Sequence, residues 1–143
     1  MKWITRENVH VDRTACPWLI KKFIDPVAEF VFVPRDTDPS TLKEGIPFDM
    51  KGVELGHHDN RCSFESIVKK YNIIDPVILE IAKIIHAADI SADRYSVSEG
   101  ECINLLTRGI RLVSKDDYEA LEKAFVLYDA LYAAIKWRIE EKK

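Results

Sequence analysis

The chain has 143 residues, of which 47% are hydrophobic and 31% charged, and its formal net charge is −3. This composition predicts one globular domain over residues 1–143 and excludes a disordered or low-complexity chain. No stretch reaches the ~20 apolar residues of a membrane span, and early charges interrupt any secretory signal. An acidic chain without clustered Lys and Arg argues against direct nucleic-acid binding. We therefore expect a cytoplasmic protein with reduced thiols.

The first half of the chain predicts short strands around one helix. Residues 9–11 predict the first strand, and apolar residues recurring over 18–24 predict a helix, which the Asp25-Pro26 pair ends. The aromatic and β-branched run at 29–33 predicts a second strand, so the order predicts a βαβ crossover.

The segment that follows predicts the position of a site. Residues 35–48 contain prolines and a glycine and predict a surface loop, and residues 52–56 predict another short strand. Ligand sites in open α/β sheets favour the carboxyl ends of strands. We therefore expect the two histidines after residue 56 to lie at such an edge.

The second half of the chain predicts helices. Ser63 is placed to cap a helix that extends to about residue 71, and Asp75 followed by Pro76 predicts a helix that extends to about residue 88. Ser98 and Glu101 have the spacing of a capping box, which predicts a helix to about residue 106.

The longest predicted element is an amphipathic helix of about seven turns after a second capping sequence at 114–117. Its apolar residues recur in steps of three and four: Tyr118, Leu121, Phe125, Tyr128, Tyr132, Ile135 and Ile139. We interpret this face, with Trp137, as core or partner contact, and its surplus apolar surface favours a homodimer. The expected fold is α/β and mostly helical, with a small N-terminal βαβ-type sheet followed by a C-terminal helical bundle.

The chemistry of the chain concentrates between residues 54 and 65, where Glu54, His57, His58, Cys62 and Glu65 lie within twelve positions. Imidazole, thiolate and carboxylate groups together suit zinc, iron or manganese more than calcium or magnesium. The segment predicts a divalent metal site, and a structural polar loop is the alternative.

Adjacent histidines point to opposite faces of an extended segment, so His57 and His58 need a turn, which Gly56 permits, to share an ion. Other ligands must come from elsewhere, and His10, Cys16 and His86 are candidates, although His86 is better explained as structural. Cys102 is expected to be a buried hydrophobe. The predicted metal ligands are Asp12, Glu54, His57, His58, Cys62 and Asp89.

Other motifs give little support to alternative chemistry. The chain has no Walker loop, no GxGxxG and no GxSxG motif, so neither a nucleotide cradle nor a serine-hydrolase elbow is expected. No arginine-rich anion pocket is expected beyond Arg13, Arg61 and Arg108.

Residues 11–26 (VDRTACPWLIKKFIDP), residues 29–34, and residues 53–64 with their ELGHH and CSF blocks form a specific pattern. The pattern resembles the C-terminal domain of the ChrB chromate-resistance family, with weaker matches at 88–89 and 128–132. The resemblance covers nearly the whole chain and implies a role in chromate, metal or oxidative stress. Family members usually carry an additional N-terminal domain and are described as chromate-responsive regulators. This chain does not contain that part, so we do not expect it to read DNA alone.

A more distant similarity concerns His10-Val11-Asp12 and the later histidine pair. Their order is similar to the metal-binding layout of the DHH phosphoesterases, in which HxD and DHH motifs share metal ions at strand ends. Gly56 stands here in the place of the DHH aspartate. The similarity therefore implies a related fold more than two-metal hydrolysis.

Three functions are consistent with these residues. The first is a cytoplasmic metal-binding domain of the ChrB type. The second is a metal-dependent enzyme, either a phosphoesterase-like hydrolase in which Asp12 or Glu65 positions water, or a redox enzyme that uses iron or manganese. The third is a protein-interaction domain in which the long helix binds a partner and the histidine loop is structural.

Overall fold

The computed structural model describes residues 1–89 and 97–142. The predicted class is confirmed, because the described residues form five α-helices and a small three-stranded parallel sheet near the N-terminus. The elements in chain order are β1 (Lys2–Arg6), α1 (Val11–Phe23), β2 (Glu29–Val33), β3 (Ile46–Pro47), α2 (Ser63–Lys70), α3 (Pro76–Asp89), α4 (Val97–Val113) and α5 (Asp117–Glu141). Among the helices of the described ranges, none is both long and apolar enough to cross a membrane.

The sheet has the strand order β2-β1-β3, and both pairings are parallel. Strand β1 pairs with β2 from Lys2 opposite Glu29 to Arg6 opposite Val33, and with β3 from Trp3 opposite Ile46. Helix α1 connects β1 to β2, so the predicted βαβ crossover is present.

The position predicted for the first strand is wrong, because β1 lies at Lys2–Arg6 and residue Val11 begins α1. Val9 and Val11 are both buried, which gives the segment the alternation of a strand. Their burial comes from tertiary contacts instead. The carboxylate of Asp117 in α5 accepts hydrogen bonds from the backbone amides of Asn8 and Val9 and holds this turn against α5.

Helix α1 begins seven residues before the predicted helix and forms the centre of the molecule. It contacts all four other helices, and nine of its 13 residues are buried. The Trp18 indole donates to Asp129 of α5 at 2.9 Å, and the hydroxyls of Thr14 and Tyr128 are 2.8 Å apart. These contacts fix α5 along the outer side of α1.

The strand predicted at residues 52–56 is also wrong. Asp49 and Gly52 have φ angles of 48° and 82°, so the backbone turns here, and Leu55 makes only an isolated bridge to Phe48. The loop predicted at 35–48 instead contains a 3-10 turn at Pro39–Thr41 and the short strand β3. The left-handed backbone at Asp49 and Gly52 ends the extended segment before the histidines.

Helices α2 and α3 lie close to their predicted positions, whereas α4 extends to Val113, seven residues beyond its predicted end at about residue 106. The N-cap of α2 is Cys62 rather than Ser63, and Ser98 lies inside α4, so it is not an N-cap. Helix α5 begins after the N-cap Asp116 and has 25 residues, in agreement with the predicted seven turns.

Part of the predicted apolar face of α5 is buried, and the side-chain prediction for Cys102 of α4 is wrong. Tyr128 and Ile135 are buried, whereas Trp137 is 64% exposed. Cys102 is exposed, which contradicts its predicted burial, because the buried face of α4 at this level is occupied by the neighbouring Ile103. The homodimer through α5 stays a prediction.

Candidate functional site

The innermost residue of the site is Asp12, in the first turn of α1, which is 2% exposed. Its carboxylate accepts hydrogen bonds from the backbone amides of Ser63 at 2.8 Å and Phe64 at 3.1 Å, the first two residues of α2. A helix N-terminus leaves such amides unpaired and favours a negative charge. Asp12 therefore links α1 to the N-terminus of α2. Its buried carboxylate is the group to which a cation would bind.

His57 lies over Asp12 and is half exposed. Its Nε2 atom is 2.7 Å from Oδ2 of Asp89, the last residue of α3, and 3.7 Å from Oδ2 of Asp12. We call Asp12, His57 and Asp89 the His57 cluster. Asp12 belongs to α1, His57 to the loop that precedes α2, and Asp89 to the end of α3, so the fold brings three separate elements to one point.

A third carboxylate, from Asp49, lies on the other side of the imidazole, with Oδ1 3.7 Å from Nδ1 of His57. Asp49 is 6% exposed, accepts a 2.7 Å hydrogen bond from the Ser63 hydroxyl, and lies 3.2 Å from Nε of Arg13. Asp49 was not among the predicted site residues. It lies two residues after β3, in a stretch where a loop was predicted, so no predicted strand end marked it.

The electrostatics of the cluster show the effect of crowding acidic groups. Burial raises the pKa of Asp12 well above its ordinary value, and the charges of Asp89 and Asp49 add to this, against the two amide hydrogen bonds. Burial likewise raises the pKa of Asp49. The hydrogen bond to Asp89 raises the pKa of His57, although partial burial of the imidazole opposes this. Three carboxylates are thus held close together around His57, and Arg13 is the other cation beside them.

The His57 cluster fits a divalent cation. One carboxylate oxygen of Asp12, one of Asp89 and one imidazole nitrogen of His57 all lie within 4.8 Å of one another. Two carboxylates and one imidazole suit manganese, iron or zinc, and they leave coordination positions open. An ion at this point would also neutralise the crowded carboxylates.

A second group of ligand types lies nearby, formed by Cys62, Glu65 and His86, which we call the Cys62 cluster. Nδ1 of His86 is 2.6 Å from Oε1 of Glu65, which also accepts from the backbone amide of Cys62 at 3.0 Å. The Cys62 and His86 side chains are fully buried. His86 was predicted to be structural, and Glu65 was considered only for positioning water.

The structure separates the six predicted ligands. Asp12, His57 and Asp89 converge on one point, and Cys62 belongs to the other cluster. Glu54 lies on the surface and pairs with Lys70 at 3.3 Å, because it belongs to the turn after Gly52 and not to a strand. His58 binds the Val53 carbonyl through Nε2 at 2.7 Å, so it contributes to neither cluster.

The distant similarity to the DHH phosphoesterases finds no support in the local structure. His10 and Asp12 do not end a strand, because α1 begins at Val11. Nε2 of His10 instead lies 3.2 Å from the backbone oxygen of Asn104 in α4. The HxD arrangement of those enzymes is therefore not formed here.

A cleft of about 350 Å³ opens beside His57. Its lining residues are Arg6, Asp49, Met50, Lys51, Gly52 and His57. Nε of Arg6 is buried, and within the described residues it has no hydrogen-bond partner. Lys51 is exposed at the rim. No anion pocket was predicted at this position. The cleft nevertheless places two cations, Arg6 and Lys51, beside the His57 cluster.

A family model described as "ChrB, C-terminal domain" matches residues 3–135. The chain belongs to this family. This ChrB C-terminal domain is also 29% identical over 132 residues to "Protein ChrB" of Cupriavidus metallidurans, a match that covers 92% of this chain and 40% of the relative. The chain thus spans about two fifths of that relative's length. No solved structure matches it significantly.

Proposed function

We propose that this ChrB-family domain is a cytoplasmic metal-binding domain with a role in chromate resistance or the associated metal and oxidative stress. The ion is zinc, iron or manganese, and Asp12, His57 and Asp89 are its ligands. The observation that carries the proposal is the convergence of these three donor groups from α1, the α2-proximal loop and α3. Family membership supports the link to chromate resistance.

The burial of the acidic groups supports the presence of a cation. Asp12 is almost fully buried and lies near Asp89 and Asp49, and burying charge of one sign is costly unless an opposite charge is close. A divalent ion supplies that opposite charge. Arg13 and a protonated His57 supply at most two positive charges beside the three carboxylates.

Metal binding at this point has a consequence for the fold. The ligands belong to three separate elements, so an ion links α1, the loop that carries His57 and the end of α3. Because such a site exists only in the folded state, binding stabilises that arrangement. Occupancy can then be read out as a change in stability or in the position of α3, as a metal-responsive domain requires.

A metal-dependent enzyme is the second candidate, and the cleft beside His57 favours it. Half of the His57 side chain is exposed, and the cations Arg6 and Lys51 line the same cleft, so an anionic substrate would lie next to the ion. A bound metal would lower the pKa of a water for hydrolysis, and iron or manganese would permit redox chemistry. Turnover of phosphoesters, or of chromate with an added electron donor, by the metal-loaded protein would establish this function if it is lost in Arg6→Gln and kept in the surface variant Lys43→Gln.

The metal proposal is tested by elemental analysis of protein purified without added metal, followed by titration of the chelator-treated protein. Asp89→Asn removes one ligand charge at a position that is partly accessible, so the fold should be retained. Asp36→Asn makes the same chemical change on the exposed loop. We expect weaker binding in the first variant and unchanged binding in the second. Absence of stoichiometric metal together with equal affinities in both variants would reject the proposal.

A further inference from the structure

The Cys62 cluster lies at the N-terminus of α2 and combines three different ligand types. Cys62 is the N-cap of α2, Glu65 lies one turn later, and His86 reaches the same point from α3. One atom of each, the thiol sulfur, a carboxylate oxygen and an imidazole nitrogen, lies within 4.8 Å of the others.

A capping interaction alone explains only part of this arrangement. Cys62 and Glu65 form a capping box, in which the sulfur accepts from the Glu65 amide and the Glu65 carboxylate accepts from the Cys62 amide. Serine, threonine, aspartate and asparagine are the preferred N-caps, because their oxygens accept strongly, whereas a neutral thiol is a weak acceptor. A thiolate accepts strongly and is favoured at a helix N-terminus. In the structure burial and the Asp12 charge raise the pKa of Cys62 and favour the neutral thiol, so a thiolate forms here only when a bound metal ion displaces the proton.

We propose that Cys62, Glu65 and His86 form a second metal site, for a zinc-class divalent ion, that is separate from the His57 cluster. This site goes beyond the proposed function, because it has different ligands and prefers a different class of metal ion. The thiolate and imidazole groups favour zinc or a similar borderline-soft ion and disfavour magnesium and calcium. The oxygen-rich His57 cluster accepts harder ions.

The charges and distances fit such an ion after small movements. Binding releases the Cys62 thiol proton to solvent, and the thiolate and the Glu65 carboxylate then balance the two charges of the ion. Zinc bonds of about 2.0–2.3 Å to nitrogen, oxygen and sulfur place tetrahedral ligand atoms roughly 3.3–3.6 Å apart. The 2.6 Å separation between His86 Nδ1 and Glu65 Oε1 would therefore widen by somewhat less than an ångström.

Cobalt(II) is the probe for the test, because it replaces zinc and gives a thiolate-to-cobalt charge-transfer band in the near ultraviolet only when sulfur is a ligand. The full chain is freed of metal and titrated with cobalt. We expect the band in the wild-type protein and its loss in Cys62→Ser. Cys102→Ser, which removes an exposed thiol on α4, is the matched control and should keep the band.

A second variant keeps the test decisive if Cys62→Ser does not fold. Glu65→Gln preserves the capping box, since glutamine also accepts from the N-cap amide, but it removes one ligand charge. We expect the cobalt affinity, measured from the charge-transfer band, to be at least tenfold weaker, with the α2 helix retained. An unchanged affinity in folded Glu65→Gln, or a band that persists in folded Cys62→Ser, would overturn the proposal.

The same titration separates this site from the His57 cluster, whose ligands are nitrogen and oxygen only. Asp89→Asn should leave the charge-transfer band intact and remove one equivalent of cobalt that gives no such band. A charge-transfer band without a second equivalent of bound cobalt would support the Cys62 site and contradict the His57 site. Saturating cobalt without any charge-transfer band would overturn the Cys62 site, whatever the total stoichiometry.

Discussion

Helix α4 packs closely against α3 at Gly100, next to the residues of α3 that carry the candidate ligands. A Cβ atom at Gly100 would lie 2.8 Å from the Ala87 Cβ and 2.9 Å from backbone atoms of Ala87 and Ala88. These residues lie between His86 and Asp89. We therefore predict that Gly100→Ala destabilises the protein and displaces the end of α3.

The magnitude follows from the overlap. Ordinary carbon contacts are about 3.5 Å or longer, so the two helix backbones must separate by roughly 0.6 Å. Overpacking of this kind costs about 1–3 kcal/mol. Replacing glycine by alanine inside a helix also gains up to about 1 kcal/mol, which partly conceals that cost. Gly109→Ala, in the same helix, provides the reference because a Cβ there has no neighbour within 4 Å.

Thermal and urea denaturation of the two variants measure the difference. We expect Gly100→Ala to be less stable than Gly109→Ala by about 1–3 kcal/mol, or roughly 3–10 °C in Tm for a chain of this size. Metal affinity should also fall in Gly100→Ala, because Asp89 moves with α3. Equal stability of the two variants would refute this account of the α3–α4 contact.

Three further predictions concern buried polar groups and the bound ion. Asp12→Asn should lower the free energy of unfolding by about 1–3 kcal/mol, because an amide side chain cannot accept hydrogen bonds from both the Ser63 and Phe64 backbone amides. An unchanged urea midpoint would contradict this. Tyr128→Phe removes the 2.8 Å hydrogen bond to Thr14 and should lower the free energy of unfolding by about 1 kcal/mol. Full wild-type stability would argue against that bond. Removing zinc from a solution held at 100 times Kd should lower the unfolding free energy by about 2.7 kcal/mol, and a Tm insensitive to chelator would count against metal binding.

The sequence predicted the elements whose pattern repeats over several turns. The period of α5 is visible over 25 residues, and its buried Tyr128 and Ile135 follow that period. The first strand was misplaced because Val9 and Val11 show strand-like alternation, whereas the turn before α1 is held by the Asp117 carboxylate, more than 100 residues away. A contact so distant in sequence leaves no local signal.

The site was predicted in part for the same reason. Asp12 and His57 were expected together because each was placed at the end of a predicted strand. Neither strand forms, and the two residues meet instead through the first turn of α1 and the loop before α2. Glu54 was included because residues 52–56 were interpreted as a strand, whereas Gly52 turns the chain and leaves Glu54 on the surface. Asp49 and Arg6 were missed because only the parallel pairing of β1 with β3 brings their strand ends together.

The adjacent residues His57 and His58 provide the most direct test of the metal site. They are neighbours in sequence, but only His57 faces Asp12 and Asp89, whereas His58 binds the Val53 carbonyl. Zinc affinity at the site without sulfur ligands is measured by titration in His57→Gln and His58→Gln. We expect at least about tenfold weaker binding in His57→Gln, since loss of even outer-shell partners costs 10–100-fold, and wild-type affinity in folded His58→Gln. Equal affinities in the two variants, or a loss confined to His58→Gln, would contradict the assignment of His57 as the metal ligand.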